Sequence, residues 1–277
     1  MPDKVTIATL QQMKRDGKKI AGVVAWDTPM AKIADRAGVD LVSVGDSVGV
    51  NLWGHDDPLQ VTMDEMLIVC KAVRRGVTRA LVSCDFPHGP LQQGVDAALR
   101  AATRLTEEGG ADLVKLDGAA DCPDAVRAIV RAGIPVFGQL GITQQNAAQH
   151  GVDHAAMLQG RVMVPAAMTA RFVDAARRLE DAGCALLDFT SSGPIVGPEV
   201  VRAVSIPVLG GLGGGPWLDG RMRMVHAAIG YAAAALDGNA ETYANVPRIT
   251  LDAITAYGDD VRAGRQIKGG IRVEPAA

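Results

Sequence analysis

Residues Leu113–Gln139 read LVKLDGAADCPDAVRAIVRAGIPVFGQ, and this stretch decides the fold. A short apolar run, Leu113–Leu116, stops on Asp117. A helical pattern follows over Cys122–Ala132, Gly133 ends it, and a second apolar run begins at Pro135–Gln139. A glycine just past a helix supplies the left-handed cap that stops it. Two apolar runs joined by one helix form a βαβ unit, with parallel strands and a right-handed crossover.

The same order recurs on both sides. Further apolar runs stand at Ala21–Trp26, Leu41–Val44, Ala80–Cys84, Ala185–Phe189 and Pro207–Gly210. They are rich in Val and Leu without strict alternation, as strands buried on both faces are. Helical patterns separate them at Thr28–Ala37, Met63–Arg75, Gly94–Gly109, Met168–Ala182 and Gly197–Val204, and Ala37-Gly38 and Ala182-Gly183 repeat the glycine stop. Seven strands are legible, and an eighth is expected within Gly230–Gly238. The pattern predicts an α/β protein, a (β/α)8 TIM barrel formed by residues 1–277 as a single domain. A helix over Ile7–Asp16 should cover the bottom of the barrel, and a last helix should run over Asn245–Gly264. An open doubly wound sheet is the alternative, but no G-x-G-x-x-G strand–turn–helix fingerprint supports it. The run Gly210–Gly215 lacks the Lys-Ser/Thr of a phosphate loop. It reads either as a loop needing positive φ or as a close approach to a ligand.

Composition agrees. The chain has 277 residues, 48% hydrophobic but only 4% aromatic, so the core is built from aliphatic side chains, as in barrels of parallel strands. A net charge of −3 without a basic stripe argues against nucleic acid as a partner. The four cysteines, Cys70, Cys84, Cys122 and Cys184, form no C-x-x-C pair and read as small buried hydrophobes in a reducing compartment. Met1–Lys19 carries no signal-peptide pattern, and no apolar run reaches the roughly 20 residues that span a bilayer. A cytoplasmic protein without a membrane partner is expected.

Barrel enzymes work at the C-terminal ends of their strands. Asp46, Asp85 and Asp117 stand at the ends of three consecutive strands. Converging carboxylates repel unless something positive sits between them. A hard divalent cation such as Mg²⁺ takes one or two carboxylates plus substrate oxygens and water. The competing reading of a single strand-end Asp is a helix N-cap. Lys115 lies two residues before Asp117 on the same face of its strand, where it can neutralise a substrate carboxylate or a developing enolate.

The segments Ala31–Asp35, Val44–Gly49, Gly54-His55-Asp56, Val61–Met66 and Ala72–Gly76 follow one another in order. So do Asp85-Phe86-Pro87, Val114–Gly118, Gly141–Gln145, Gln159-Gly160-Arg161, Tyr243–Val246 and Asp260–Gly264. Together they resemble the ketopantoate hydroxymethyltransferase (3-methyl-2-oxobutanoate hydroxymethyltransferase) family, over nearly the whole chain. The resemblance implies a barrel related to phosphoenolpyruvate mutase and isocitrate lyase, and a homo-oligomer. It implies Mg²⁺, a small 2-oxo acid as substrate, and 5,10-methylenetetrahydrofolate or formaldehyde as one-carbon donor. Asp46 and Asp85 match the metal carboxylates, with Asp85 also at the substrate. Asp117 stands where the family has a third acid, usually Glu. Ser47 and Lys115 match the residues that hold substrate.

Two positions depart from the family. Its general base, a Glu closing the sixth strand, falls here at Thr190, and its substrate-side His falls at Gln139. Asp188 and His88 are candidate replacements for the base, with metal-bound water a third. Asp188 has a competing reading as a structural partner of Lys115, and His88 as an exposed loop residue. Trp26 and Trp217 are read as pocket walls or as packing, and His226 as packing or capping. Three functions remain open at this point: a hydroxymethyltransferase, a metal-dependent 2-oxo acid lyase or aldolase, and a non-catalytic paralogue.

Overall fold

A computed structural model describes residues 3–152, 162–232, 236–238 and 241–269. The chain divides into two compact units, Met1–Arg223 and Met224–Ala277.

The first unit follows the order α1 (Ile7–Arg15), β1 (Ile20–Val24), α2 (Thr28–Arg36), β2 (Leu41–Val44), α3 (Met63–Arg74), β3 (Leu81–Asp85), α4 (Val95–Thr103), β4 (Leu113–Asp117), α5 (Pro123–Arg131), β5 (Val136–Gly141), α6 (Thr169–Asp181), β6 (Leu186–Thr190), α7 (Gly193–Ala203), β7 (Val208–Leu209) and β8 (Gly220–Met224). Strands β1 to β7 pair in parallel in sequence order, and β8 adds beside β1. The open edge is tied off by backbone bonds. The N–H of Asp219 donates to Val208 O at 2.9 Å and that of Met222 to Gly210 O at 3.0 Å. The result is an eight-stranded α/β barrel, as the sequence predicts. The eighth strand lies at Gly220–Met224, ahead of the expected Gly230–Gly238. Its alternation of Gly, Arg, Met and Arg hides it, because only Gly220 and Met222 turn to the core while Arg221 and Arg223 stay exposed. Part of Gly230–Gly238, like the Gln159-Gly160-Arg161 motif, lies outside the described residues.

One layer of the core takes a residue from every strand: Ile20, Leu41, Leu81, Leu113, Phe137, Leu186, Leu209 and Met222. Val5 and Leu10 complete it, so α1 covers the N-terminal end of the barrel as expected. Thr6 caps α1 by accepting from the Thr9 N–H. Lys14 anchors its other end, 3.0 Å from Asp219 and donating to the carbonyls of Val201, Val204 and Ile206. With that end filled by aliphatic side chains, polar inward residues are confined to the other end. The second unit contains α8 (Val225–Ala228) and α9 (Val246–Arg262). His226 stacks obliquely on Tyr231, with ring centroids 5.2 Å apart, in keeping with its reading as packing.

Asp35 on α2 shows how one carboxylate fixes a loop. It accepts the backbone N–H groups of Thr78 (2.9 Å), Arg79 (3.1 Å) and Ala80 (2.8 Å), and the Thr78 hydroxyl at 2.8 Å. Partial burial works to raise its pKa, but the donors of Ala80, Thr78 and Arg79 outweigh burial and hold the carboxyl below its usual value. A depressed carboxyl pKa stabilises the fold above the unfolded-state value, and that stabilisation is lost as pH falls through the folded-state value. Asp35→Ala should therefore cost about 2–3 kcal/mol in chemical denaturation at pH 7. The difference from the parent chain should shrink below about pH 4.

Candidate active site

The C-terminal ends of β2 to β6 bring most of the expected residues together. In the sheet register Asp85 on β3 lies opposite Lys115 on β4, and Gln139 on β5 lies between Asp117 on β4 and Asp188 on β6. Lys115 Nζ is 3.0 Å from Asp85 Oδ2 and 3.0 Å from Asp188 Oδ2. The three side chains are only 12%, 8% and 5% exposed. Asp188 thus makes the ion pair that its structural reading anticipates. Its second oxygen, Oδ1, is buried and has no hydrogen-bond partner.

Asp85 is held from below. Ser83 Oγ donates to Ser43 Oγ at 2.6 Å, and Ser43 Oγ donates to Asp85 Oδ1 at 3.3 Å. Both serines are hydroxyls inside otherwise apolar strands. That polarity is a signal in the sequence, although neither was singled out from it. Gly45 lets two side chains close in over the backbone beside Asp85. A Cβ there would lie 3.0 Å from both Ser47 Oγ and Val24 Cγ1 and 3.9 Å from Asp85 Oδ2, so the absence of a side chain at Gly45 lets the Ser47 hydroxyl sit close to the Asp85 carboxylate.

Electrostatics follow from burial. Burial pushes the Asp85 carboxyl up to about 6; the Lys115 ammonium opposes this, while Asp46 and Asp188 reinforce it. Burial also pushes Asp117 up to about 7, with the negative charges of Asp46 and Asp188 adding and Lys115 opposing. For Lys115 burial acts downward, but Asp85, Asp188 and Asp46 overcome it and hold the ammonium above the usual lysine range. The amine is therefore charged at every ordinary pH.

The remaining expected residues form two linked groups. Gln145 Nε2 donates to Asp46 Oδ2 at 3.0 Å, and its Oε1 is 3.4 Å from His88 Nδ1. Gln145 closes the segment Gly141–Gln145, and its link between Asp46 and His88 has no signal in the sequence because it joins loops far apart along the chain. His88 is exposed, matching its loop reading. Gln139 Nε2 donates to Thr190 Oγ1 at 2.9 Å, so the two positions that differ from the family pattern bond to each other. Ser191, directly after Thr190, has φ 58°, the one non-glycine residue with positive φ among the described residues. Held strain of this kind clusters at functional sites. The two tryptophans act as packing. Trp26 is buried, and Trp217 lies against Gly197 and Gly215 and donates to Ser192 Oγ at 3.0 Å. In the glycine run, Gly213 has positive φ and packs on Ser191, which supports the loop reading. Asp27 is an N-cap, accepting from the Met30 N–H at 2.8 Å.

Among the described residues, no three His, Cys, Asp or Glu side chains gather closely enough to hold a metal ion by themselves. A cation at Asp46 and Asp85 would have to complete its shell from substrate and water.

A parallel barrel with inward acids and a buried lysine at the C-terminal strand ends defines an α/β-barrel enzyme. The fold is shared with 2,3-dimethylmalate lyase of the PEP mutase/isocitrate lyase superfamily, with a TM-score of 0.58 at 16% identity, over 94% of this chain and 99% of that one. Phosphonopyruvate hydrolase, solved with oxalate and Mg²⁺, shares it with a TM-score of 0.57 at 12% identity, over 94% and 88%. Residues 4–266 match the model of the ketopantoate hydroxymethyltransferase family. The 3-methyl-2-oxobutanoate hydroxymethyltransferase of Moorella thermoacetica is 39% identical over 95% of both chains. That of Oleidesulfovibrio alaskensis is 38% identical over 94% of this chain and 87% of its own. The chain belongs to the ketopantoate hydroxymethyltransferase family, whose named relatives are enzymes that form C–C bonds by one-carbon transfer.

Replacing Lys115 by Met would leave two buried carboxylates facing each other. The expected loss of stability is about 3–5 kcal/mol at pH 7. Adding Asp188→Asn to that variant should recover part of the loss in the same denaturation assay.

Proposed function

We propose that the chain adds a one-carbon unit to C3 of a small 2-oxo acid, 3-methyl-2-oxobutanoate or an analogue. Mg²⁺ or another divalent cation is its cofactor, and 5,10-methylenetetrahydrofolate or formaldehyde is the donor. The observation that carries this reading is the buried row Asp85–Lys115–Asp188, with a fixed positive charge at its centre and an unpartnered carboxylate oxygen at one end.

The donor set suits a hard cation. Asp46 and Asp85 supply carboxylates on neighbouring strand ends, the Ser47 hydroxyl packs over Gly45 beside them, and Asp117 is the third acid, reached through water. Two carboxylates completed by substrate and water is a common Mg²⁺ arrangement. When bound, the cation polarises the 2-oxo group and acidifies the adjacent C–H.

The chain's own side chains do the rest. Ser47 and Lys115 donate to the substrate's carboxylate and carbonyl oxygens. Asp188 takes the C3 proton on Oδ1 while Lys115 holds Oδ2 in place. As the C3–H bond breaks, its electron pair forms the C2–C3 double bond and negative charge moves to the oxygen on C2. A fixed ammonium in a site shielded from water stabilises that charge strongly. C3 then attacks the donor carbon, which is formaldehyde itself or, with 5,10-methylenetetrahydrofolate, the formaldehyde that one water releases from the carrier as tetrahydrofolate leaves. With formaldehyde, the new alkoxide takes up the proton that Asp188 had accepted, so the hydroxymethyl product forms without net proton change. Gln139 and Thr190 bond to each other and form a neutral wall. His88 stays at the exposed rim, where it orients Gln145 and through it Asp46.

Proton exchange tests this. The protein should exchange C3–H of 3-methyl-2-oxobutanoate with deuterium, followed by NMR, only when Mg²⁺ is present. Asp188→Asn should slow exchange about 10²- to 10⁴-fold and keep Mg²⁺ binding; undiminished exchange would place the base elsewhere. Asp46→Ala should abolish Mg²⁺ binding in calorimetry, and unchanged binding would remove the cation from these carboxylates.

A homo-oligomer is part of the proposal. Ile249, Leu251, Ile254 and Tyr257 stay exposed along α9, and a soluble monomer rarely leaves so many apolar side chains together in water. Sedimentation should give a species heavier than the 28.9 kDa chain; a monomer at micromolar concentration would overturn it.

A further inference from the structure

The inward side chains at the C-terminal ends of β4, β5 and β6 are all polar. Side chains alternate along a strand, and Leu113, Phe137 and Leu186 belong to the aliphatic floor of the barrel. Lys115 and Asp117 on β4, Gln139 on β5, and Asp188 and Thr190 on β6 therefore point the same way, above that floor. Gly141, the remaining inward position on β5, has no side chain and packs on the Thr190 carbonyl. These three strand ends thus turn no aliphatic side chain towards the proposed 2-oxo acid.

Two of these side chains keep hydrogen-bonding capacity to spare. Gln139 Nε2 donates to Thr190 Oγ1 at 2.9 Å, and neither side chain makes another hydrogen bond among the described residues. The amide retains its Oε1 acceptor and a second N–H, and the Thr190 hydroxyl retains its own hydrogen to donate. Turning the amide over would also leave a donor and an acceptor. Thr190 is buried, so bulk water does not saturate its hydroxyl. Asp188, the proposed acceptor of the C3 proton, lies two residues earlier on β6, about 7 Å deeper. A substituent that leaves C3 along the strand direction therefore meets Thr190 and Gln139. Charge narrows what that substituent can be. Asp46, Asp85, Asp117 and Asp188 share this end of the barrel with Lys115, so a second carboxylate on the substrate would be repelled. Gln139 and Thr190 carry no charge with which to pair an ammonium group. A hydroxyl, which donates and accepts at once, matches the pair on both counts.

We propose that Gln139 and Thr190 select the substrate, and that they select a 2-oxo acid whose C3 substituent carries a hydroxyl group. The Thr190 hydroxyl donates to the substrate's hydroxyl oxygen, Gln139 Oε1 accepts the substrate's hydroxyl hydrogen, and C3 stays against Asp188. The assignment rests on the 2-oxo acid reading above and adds what the side chain of that acid bears. A purely aliphatic side chain in the same place leaves the amide and the hydroxyl unpaired. A site built to hydrogen-bond a substrate hydroxyl rejects the analogue that lacks it more strongly than an apolar pocket rejects one extra methylene. 3-Methyl-2-oxobutanoate, with methyl groups alone, is then accepted but not preferred.

Calorimetry on the full chain in the presence of Mg²⁺ tests it. The probes are 4-hydroxy-2-oxobutanoate and 2-oxopentanoate, acids of equal length that differ by a hydroxyl in place of a methyl group. The parent chain should bind the hydroxy acid at least about tenfold more tightly. Gln139→Met/Thr190→Val, which keeps volume and removes the spare donors and acceptor, should bring the two Kd values within about twofold of each other, chiefly by weakening the hydroxy acid. Equal binding by the parent chain, or a preference for 2-oxopentanoate, would overturn the inference. So would a double variant that keeps the preference of the parent. If the double variant binds neither acid, Thr190→Val alone decides the matter: a preference reduced at least threefold supports the inference, and an undiminished one overturns it. C3 deuterium exchange by the parent chain reports on the reaction separately. Exchange of both acids without a binding preference overturns this inference alone. A preference that depends on Gln139 and Thr190, without exchange of either acid, supports the subsite and counts against the enolate reading.

Discussion

The Lys115 ammonium lies 3.0 Å from a carboxylate oxygen on either side, Asp85 on β3 and Asp188 on β6, with all three groups almost out of water. Taking three charges out of water costs several kcal/mol each, and their attraction recovers this only where geometry and further hydrogen bonds are good. The Ser83–Ser43–Asp85 chain supplies such bonds at one end. At the other end Asp188 Oδ1 has none. An aliphatic trio would fill the same space at less cost, so this arrangement is hard to account for by stability. It is what a site needs when it must hold a positive charge still and keep one oxygen ready to accept a proton.

The barrel makes this possible by separating its two ends. One aliphatic residue from each strand, sealed by Leu10 of α1, closes the N-terminal end. Inward positions at the other end are then free to carry Lys115, Asp85, Asp117, Gln139 and Asp188. Because side chains alternate along a strand, Lys115 and Asp117 on β4 face the same way, and the sheet register sets them against Asp85 and Gln139.

Much of this was legible in the sequence. Seven strands, the helices between them and the covering helix follow from apolar runs, helical periodicity and glycine stops. The eighth strand was misplaced, because Gly220–Met224 alternates glycine and arginine with methionine and carries no apolar run. Strand-end position was enough to select Asp46, Asp85, Asp117 and Lys115. Contacts between strands distant in sequence were not legible. Asp188 reaching Lys115, Gln139 bonding Thr190, and Gln145 joining Asp46 to His88 all depend on register and loop placement. The Gln139–Thr190 bond also gives the two departures from the family pattern a common physical sense. Where the resemblance implies a titratable pair, this chain carries a neutral one, and the proposed proton acceptor lies one inward position deeper on β6, at Asp188.

The measurement that bears most directly on this account is a crystal structure of the protein with Mg²⁺ and 3-methyl-2-oxobutanoate. The account predicts the cation on Asp46 and Asp85, Lys115 Nζ on a substrate oxygen, and Asp188 Oδ1 within about 3.5 Å of C3, the range of a reactive contact. A substrate bound with C3 turned toward His88 or Thr190 and away from Asp188 would contradict it.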